Sequence, residues 1–268
     1  MYKIIRLAIL PVLLTTQISS TSHVTFLKAD ASQDTYALIN KSLAPVKGDV
    51  VEVSDCSHKD FGPHITQAFD KELGKDVFVF HAHVDYDNDR CQKMDRQRTE
   101  IKTYGASGDH LVGTAGEKHT YTWLFKLDKD FQPTTSFTHI HQIKAIGGSD
   151  SMPMLTFSPR KKKINTFEIR YALLDTAENI ASVPLEPFLG EWIVAEETIV
   201  YGEEGSLEIT LSRKRDNKIL LTLNKQLNMW RSGATLVRPK WGIYRSLNKK
   251  EDLRDEQVRF ADIQITEY

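Results

Sequence analysis

What this chain lacks narrows it quickly. Charge of one sign is missing: 35 Lys and Arg face 36 Asp and Glu, a net charge of −1, so no global field favours nucleic acid or an acidic membrane. Beyond the N-terminus there is no apolar run long enough to cross a bilayer. There is no βαβ rhythm, no internal repeat and no linker rich in Pro, Gly or Ser, which leaves a single domain. Cysteine is nearly absent: only Cys56 and Cys91 occur.

The first residues, MYKIIRLAILPVLLTTQISSTS, place Lys3 and Arg6 before the apolar run Leu7 to Leu14 and then small polar residues. That order is a secretory signal peptide over residues 1–22, cut around Ser20 to Ser22, with the domain over 23–268. A secreted, extracellular chain passes through an oxidising compartment, so Cys56 and Cys91 are expected to form a disulfide. Asn40-Lys41-Ser42 is a glycosylation sequon and agrees with that route.

Most of the remainder alternates with period two. TSHVTFLKADAS reads as an opening strand, and GPHITQAFDKELGK reads as the one short helix, with Ile65, Phe69 and Leu73 at four-residue spacing and Gly74 as a stop. DVFVFHAHVDYD puts Phe78, Phe80, Ala82 and Val84 on one face and His81, His83 and Asp85 on the other. RQRTEIKTY puts Arg96, Arg98, Glu100 and Lys102 on one face. Many strands with one minor helix predict an all-β sandwich of two antiparallel sheets. One sheet is expected to expose a concave face rich in long polar side chains, suited to an extended acidic polymer.

Three strands carry the chemistry. They are RTEIK (Arg98 to Lys102), QIK (Gln142 to Lys144) and KWGIY, in which Lys240, Gly242 and Tyr244 share a face. A glycine facing the same way as Tyr and Lys lets a ligand approach the backbone. In FTHIHQIKA, if Gln142 faces the groove, alternation turns His139 and His141 to the core. DYDNDRCQKMD offers Asp85, Asp87 and Asp89 at alternate positions but lacks the Gly and terminal Glu of an EF-hand loop.

These segments resemble the three signatures of the jelly-roll alginate lyases. DRQRTEIKTY, FTHIHQIKA, MWRSGATLVRPKWGIYRSL and LRDEQVRFADI resemble the glucuronan lyases, polysaccharide lyase family 20, over a span from about residue 34 to the C-terminus. The resemblance implies a β-jelly roll, and an endo-acting lyase that cleaves β-1,4-linked polyglucuronate by β-elimination. Such a reaction removes the C5 proton beside a carboxylate, which must first be neutralised by hydrogen-bond donors. A base then takes the proton and an acid protonates the leaving oxygen.

By matched position the resemblance makes Gln142 the neutraliser, Arg98 the carboxylate ligand, and Tyr244 the proton donor and a candidate base. Lys144 stands where alginate lyases have the histidine of Q-I-H, so His81 and His83 are the first alternatives for the base and His139 and His141 the second. Lys144, Lys240, Glu100 and Lys102 complete the substrate-binding set, with Glu100 orienting Arg98. Arg231 and Tyr201 are further groove candidates, while Trp230 and Trp241 read as core and Arg160 to Lys163 as a solvated turn. No cofactor is needed for catalysis; a structural Ca²⁺, with Asp262 as ligand, is implied by the jelly-roll lyases. The partner is an acidic polysaccharide, with no nucleic acid and no membrane after signal cleavage, and the chain is a monomer. Two readings compete: a non-catalytic carbohydrate-binding jelly roll, and a lyase for another uronate polymer such as alginate. A sandwich glycoside hydrolase needs two carboxylates flanking the bond, and Glu100 stands almost alone.

Overall fold

Period-two alternation of apolar and polar residues dictates strands, and strands dominate the computed structural model, which describes residues 22–268. The segment read as a signal peptide, residues 1–22, lies outside the described residues, apart from Ser22. In chain order the first strands are β1 (His23–Leu27), β2 (Val51–Glu52), β3 (Ile65–Asp70), β4 (Lys75–Ala82) and β5 (Arg96–Lys102). Then come β6 (Lys118–Leu127), β7 (Thr138–Ile146), β8 (Leu155–Arg160), β9 (Thr166–Tyr171) and β10 (Glu178–Pro184). The last are β11 (Trp192–Val200), β12 (Ser206–Arg213), β13 (Lys218–Gln226), β14 (Leu236–Ser246) and β15 (Glu256–Glu267). The α-helix α1 (Thr35–Leu43) lies between β1 and β2.

They form two antiparallel sheets. The back sheet has the order β13-β12-β11-β6-β15-β4-β3, with β1 also on β15, and the groove sheet has the order β10-β9-β8-β7-β14-β5-β2. The crossovers that make β14 a neighbour of β5 and β7 bring all three motif strands side by side. This is the two-sheet sandwich that alternation leads one to expect, and the jelly roll that the resemblance implies.

The inner faces supply the core. Trp123, Phe125, Phe157, Phe167 and Trp241 are fully buried, with Trp123 6.0 Å from Trp241 and 5.6 Å from Phe157 between ring centres. Between them, His141 Nε2 lies 2.9 Å from Glu197 Oε2, joining β7 to β11 across the sandwich. Each partner is fully buried, and the bond satisfies one polar atom of each, while His141 Nδ1 and Glu197 Oε1 have no hydrogen-bond partner in the protein.

The helix is not where four-residue spacing puts it. Ile65 to Asp70 is β3, paired with β4, and Phe69 is 61% exposed, so the Ile65–Phe69–Leu73 spacing marks no helical face. Gly74, at φ 66°, sits in the hairpin turn, where its N–H donates to Asp70 O. The actual helix is capped by Asp34, whose side chain accepts from the Ala37 N–H, and it buries Ile39 and Leu43. Asn40 of the sequon lies on this helix, and its Oδ1 accepts from the Val50 N–H at 2.9 Å.

Candidate active site

The polar face of the groove sheet is built as alternation requires. On β5 and β14, Arg98 opposes Tyr244, Glu100 opposes Gly242 and Lys102 opposes Lys240. On the other flank Gln142 opposes Lys240 and Lys144 opposes Arg238. One irregularity matters. Trp241 opposes His141, but three residues later Tyr244 opposes His139, only two residues back, so β14 carries an extra residue at Gly242–Ile243.

That bulge corrects the expectation for one histidine. His141 is in the core as alternation demands, whereas His139 lies beside Tyr244, 6.2 Å between ring centres. Its Nδ1 is 2.8 Å from Ser158 Oγ, which in turn is 2.9 Å from Thr156 Oγ1, opposite Gln142. Burial, with the guanidiniums of Arg160, Arg170 and Arg98, pushes His139 down to about 3, so the ring is neutral at physiological pH.

Tyr244 is held by two arginines. Arg96 Nη1 donates to its hydroxyl at 2.9 Å, and the Arg98 guanidinium carbon sits 3.8 Å from the ring centre. Burial raises the phenol, and the two guanidiniums only partly offset it. The hydroxyl therefore keeps its proton, while Arg96 occupies a lone pair.

Beneath Tyr244, most of the donors of Arg98 go to internal carboxylates. Nε and Nη2 donate to the two oxygens of Asp89 at 2.9 and 3.2 Å, and Nη1 reaches Glu100 and Glu52. Glu52 also receives Lys240, Lys102 and Arg90. Burial would raise that carboxyl, but the Lys240, Arg98 and Lys102 cations hold it well below the carboxylate range. Glu100, fully buried, takes Lys240 Nζ at 2.8 Å and a hydrogen bond from the Gln142 amide. Glu100 thus orients Arg98, as expected, and holds Gln142 and Lys240 as well.

The resulting depression, about 230 Å³, is lined by six basic side chains, Arg90, Lys93, Arg98, Lys144, Arg238 and Lys240, against the two acids Glu52 and Asp89. Gln142 and Tyr244 also open on it. Lys144 donates to Asp150 O at 2.7 Å, and burial together with the Lys240 charge pushes it down to about 8. Such a cavity can hold a carboxylate against an amide and an ammonium, with a protonated phenol alongside.

Arg98, Glu100, Gln142, Lys144, Lys240 and Tyr244 are thus brought together, with Lys102 joined through Glu52. His81 and His83 are not. His81 is on β4 of the back sheet, where Phe78, Phe80 and Ala82 fill the core and turn it to the opposite side, and His83 follows just beyond the strand. Asp262, on β15, pairs with Lys75 and belongs to no cluster of three or more metal-ligating side chains among the described residues. Tyr201 is a core residue bonded to Tyr121 at 2.7 Å, and the buried Arg231 donates to the carbonyls of Ser149, Met152 and Ala172.

Sequence reasoning gave no role in the groove to Arg96, though it placed it on the face of Arg98, nor to Arg238, Glu52 and Asp89. The first two were within reach, since each lies two residues from a chosen one and so shares its face. Glu52 and Asp89 arrive from a two-residue strand and a loop, for which no local pattern exists.

No protein-family model and no curated protein matches the sequence. Solved structures do match in fold. An endo-β-1,4-glucuronan lyase from the fungus Trichoderma reesei aligns with a TM-score of 0.52 at 15% identity, over 90% of this chain and 93% of that one. A marine alginate lyase of polysaccharide lyase family 14 from Aplysia kurodai aligns with a TM-score of 0.57 at 10% identity, over 90% and 97%. The alginate lyase from Klebsiella pneumoniae gives a TM-score of 0.51 at 14% identity, over 75% and 83%. The chain has the jelly-roll fold that these polysaccharide lyases share.

Proposed function

We propose that this protein is a polysaccharide lyase that cleaves a polyuronate, β-1,4-linked glucuronan first, by β-elimination. The observation that carries the proposal is the placement of a protonated Tyr244 hydroxyl, bonded to Arg96 and stacked on Arg98, at the edge of a basic depression with Gln142 and Lys144. In the proposed reaction the Gln142 amide and the Lys144 ammonium receive the substrate carboxylate and lower the cost of charge at C5. His139, next to Tyr244, takes the C5 proton once the bound substrate carboxylate offsets the arginine charges that depress the imidazole; Tyr244 gives its proton to the leaving O4. The C4–O4 bond breaks as the C4–C5 double bond forms. Glucuronan is preferred over alginate on the sequence resemblance, since glucuronan and alginate lyases match this fold over comparable lengths. Secretion belongs to the same reading, and a disulfide-bonded fold agrees with it.

Ultraviolet absorbance of the unsaturated product during digestion of glucuronan, with alginate and polygalacturonate alongside, tests the proposal. Tyr244→Phe should lose turnover by about 10³-fold or more while binding is nearly kept. His139→Ala should fall by at least about 10²-fold. Binding of glucuronan with no absorbance in the wild type would identify a carbohydrate-binding module instead. Full activity in Tyr244→Phe would refute the mechanism.

A further inference from the structure

The back sheet carries a second constellation, remote in character from the groove. The loop before β3 and the loop after β4 are stapled by Cys56–Cys91. Between them, His58, His64, His83 and Asp87 each bring one ligand atom to within 4.8 Å of all the others. His58 Nδ1 and His64 Nε2 lie 3.2 and 3.0 Å from Asp87 Oδ1, and His83 Nδ1 lies 3.1 Å from Oδ2. Four ligands at zinc bond lengths of about 2.0–2.1 Å would stand about 3.3 Å apart at the corners of a tetrahedron. The three imidazole separations from the Asp87 carboxylate, two to Oδ1 and one to Oδ2, are already close to that edge, and the remaining pairs lie within 4.8 Å.

We propose that His58, His64, His83 and Asp87 form a binding site for a divalent transition-metal ion of the zinc type, closed by these four ligands. Three imidazoles and one carboxylate suit zinc; calcium and magnesium take shells of oxygen. His64 has the outer partner that metal-bound imidazoles commonly have. Its Nδ1 is 2.7 Å from Asp55 Oδ1, which leaves Nε2 to face the cluster, and Tyr36 donates to Asp55 in turn. The side chains of His64 and Asp87 are fully buried, while those of His58 and His83 are 18% and 16% exposed, which leaves an ion a way in. Phe61 packs on His83 at 4.2 Å and Tyr86 on His58 at 4.6 Å between ring centres, so aromatic walls surround the set.

The site also bears on the groove. Asp87 is two residues from Asp89, which clamps Arg98 under Tyr244. An ion on Asp87 would pin the segment that presents that clamp.

The test uses the full mature chain, stripped with a chelator, freed of it, then dialysed with excess Zn²⁺ and afterwards with metal-free buffer. Elemental analysis should find one zinc per chain. Co²⁺ titration should give the intense visible bands of a tetrahedral site. His58→Ala and His83→Ala, each shown by circular dichroism to be folded, should weaken zinc binding by at least about 10-fold, and Asp55→Asn by about 10–100-fold. The wild-type titrations stand even if a variant fails to fold. Failure of the wild type to retain zinc, retention of calcium in its place, or zinc held equally well by the folded His58→Ala and His83→Ala variants would each overturn the proposal.

Discussion

Most N–H donors of Arg98 are spent before any substrate arrives, on Asp89, Glu100 and Glu52. Its flat face is spent on the Tyr244 ring. A group so occupied acts by setting the position and proton affinity of the phenol more than by gripping a carboxylate, a task the less encumbered Lys144 can do. Arg98→Lys separates the two roles. It keeps a positive charge but loses the planar fork and the stack. We expect kcat to fall by about 10–100-fold with KM changed by less than about 3-fold, and stability to drop by about 1–3 kcal/mol as Asp89 loses its paired donors. Steady-state kinetics on glucuronan and urea unfolding would measure both. A raised KM with kcat intact would return Arg98 to the carboxylate-binding role.

Among the elements, β14 decides where the proposed catalytic groups sit, and Gly242 decides the shape of β14. Its φ of 147° lies outside the range comfortable for other residues, and an added Cβ would meet Thr99 O at 2.1 Å and Glu100 Cα at 2.7 Å. Those are backbone atoms of β5, which cannot swing aside as a side chain can. Gly242→Ala should therefore cost about 3 kcal/mol or more and separate Tyr244 from Arg98 and His139, with turnover falling further than stability alone explains. A variant with an unchanged urea midpoint and full activity would show that the close approach is unimportant. Gly242 also marks the limit of what the sequence reveals. Period two places Arg98, Glu100, Gln142, Lys144, Lys240 and Tyr244 on one face, because pleating is a local property. A bulge is a property of two strands in register, so the rotation that brings His139 to Tyr244 is invisible to alternation along β7. The same holds for β3: its apolar spacing fits a helix, and only the pairing with β4 makes it a strand. The Asp34 cap was a local signal for the true helix, obscured by the polar residues around it.

For the molecule as a whole, the long-range problem is to hold loops against a sandwich whose core is already complete. The Cys56–Cys91 disulfide, which the sequence led one to expect, joins positions 35 residues apart and does this at the end where the groove and the histidine cluster meet. Cys91 follows Asp89 and Arg90, which line the groove, and Cys56 precedes His58. On the chain-entropy account, a loop of that length is stabilised by about 4 kcal/mol when closed. For a domain of this size that corresponds to a change of about 10 °C in Tm. Reduction, or Cys56→Ser with Cys91→Ser, should lower Tm by that amount, and the unreduced protein should offer no thiol to alkylation. The chemistry should suffer too, because Asp89 is positioned by the segment the bridge restrains, and Arg98 relies on Asp89. Turnover measured well below both melting temperatures therefore carries the decisive information. If it is equal in the bridged and serine proteins, the loop finds its place without the bridge, and the coupling between staple and groove is refuted even where Tm falls as expected.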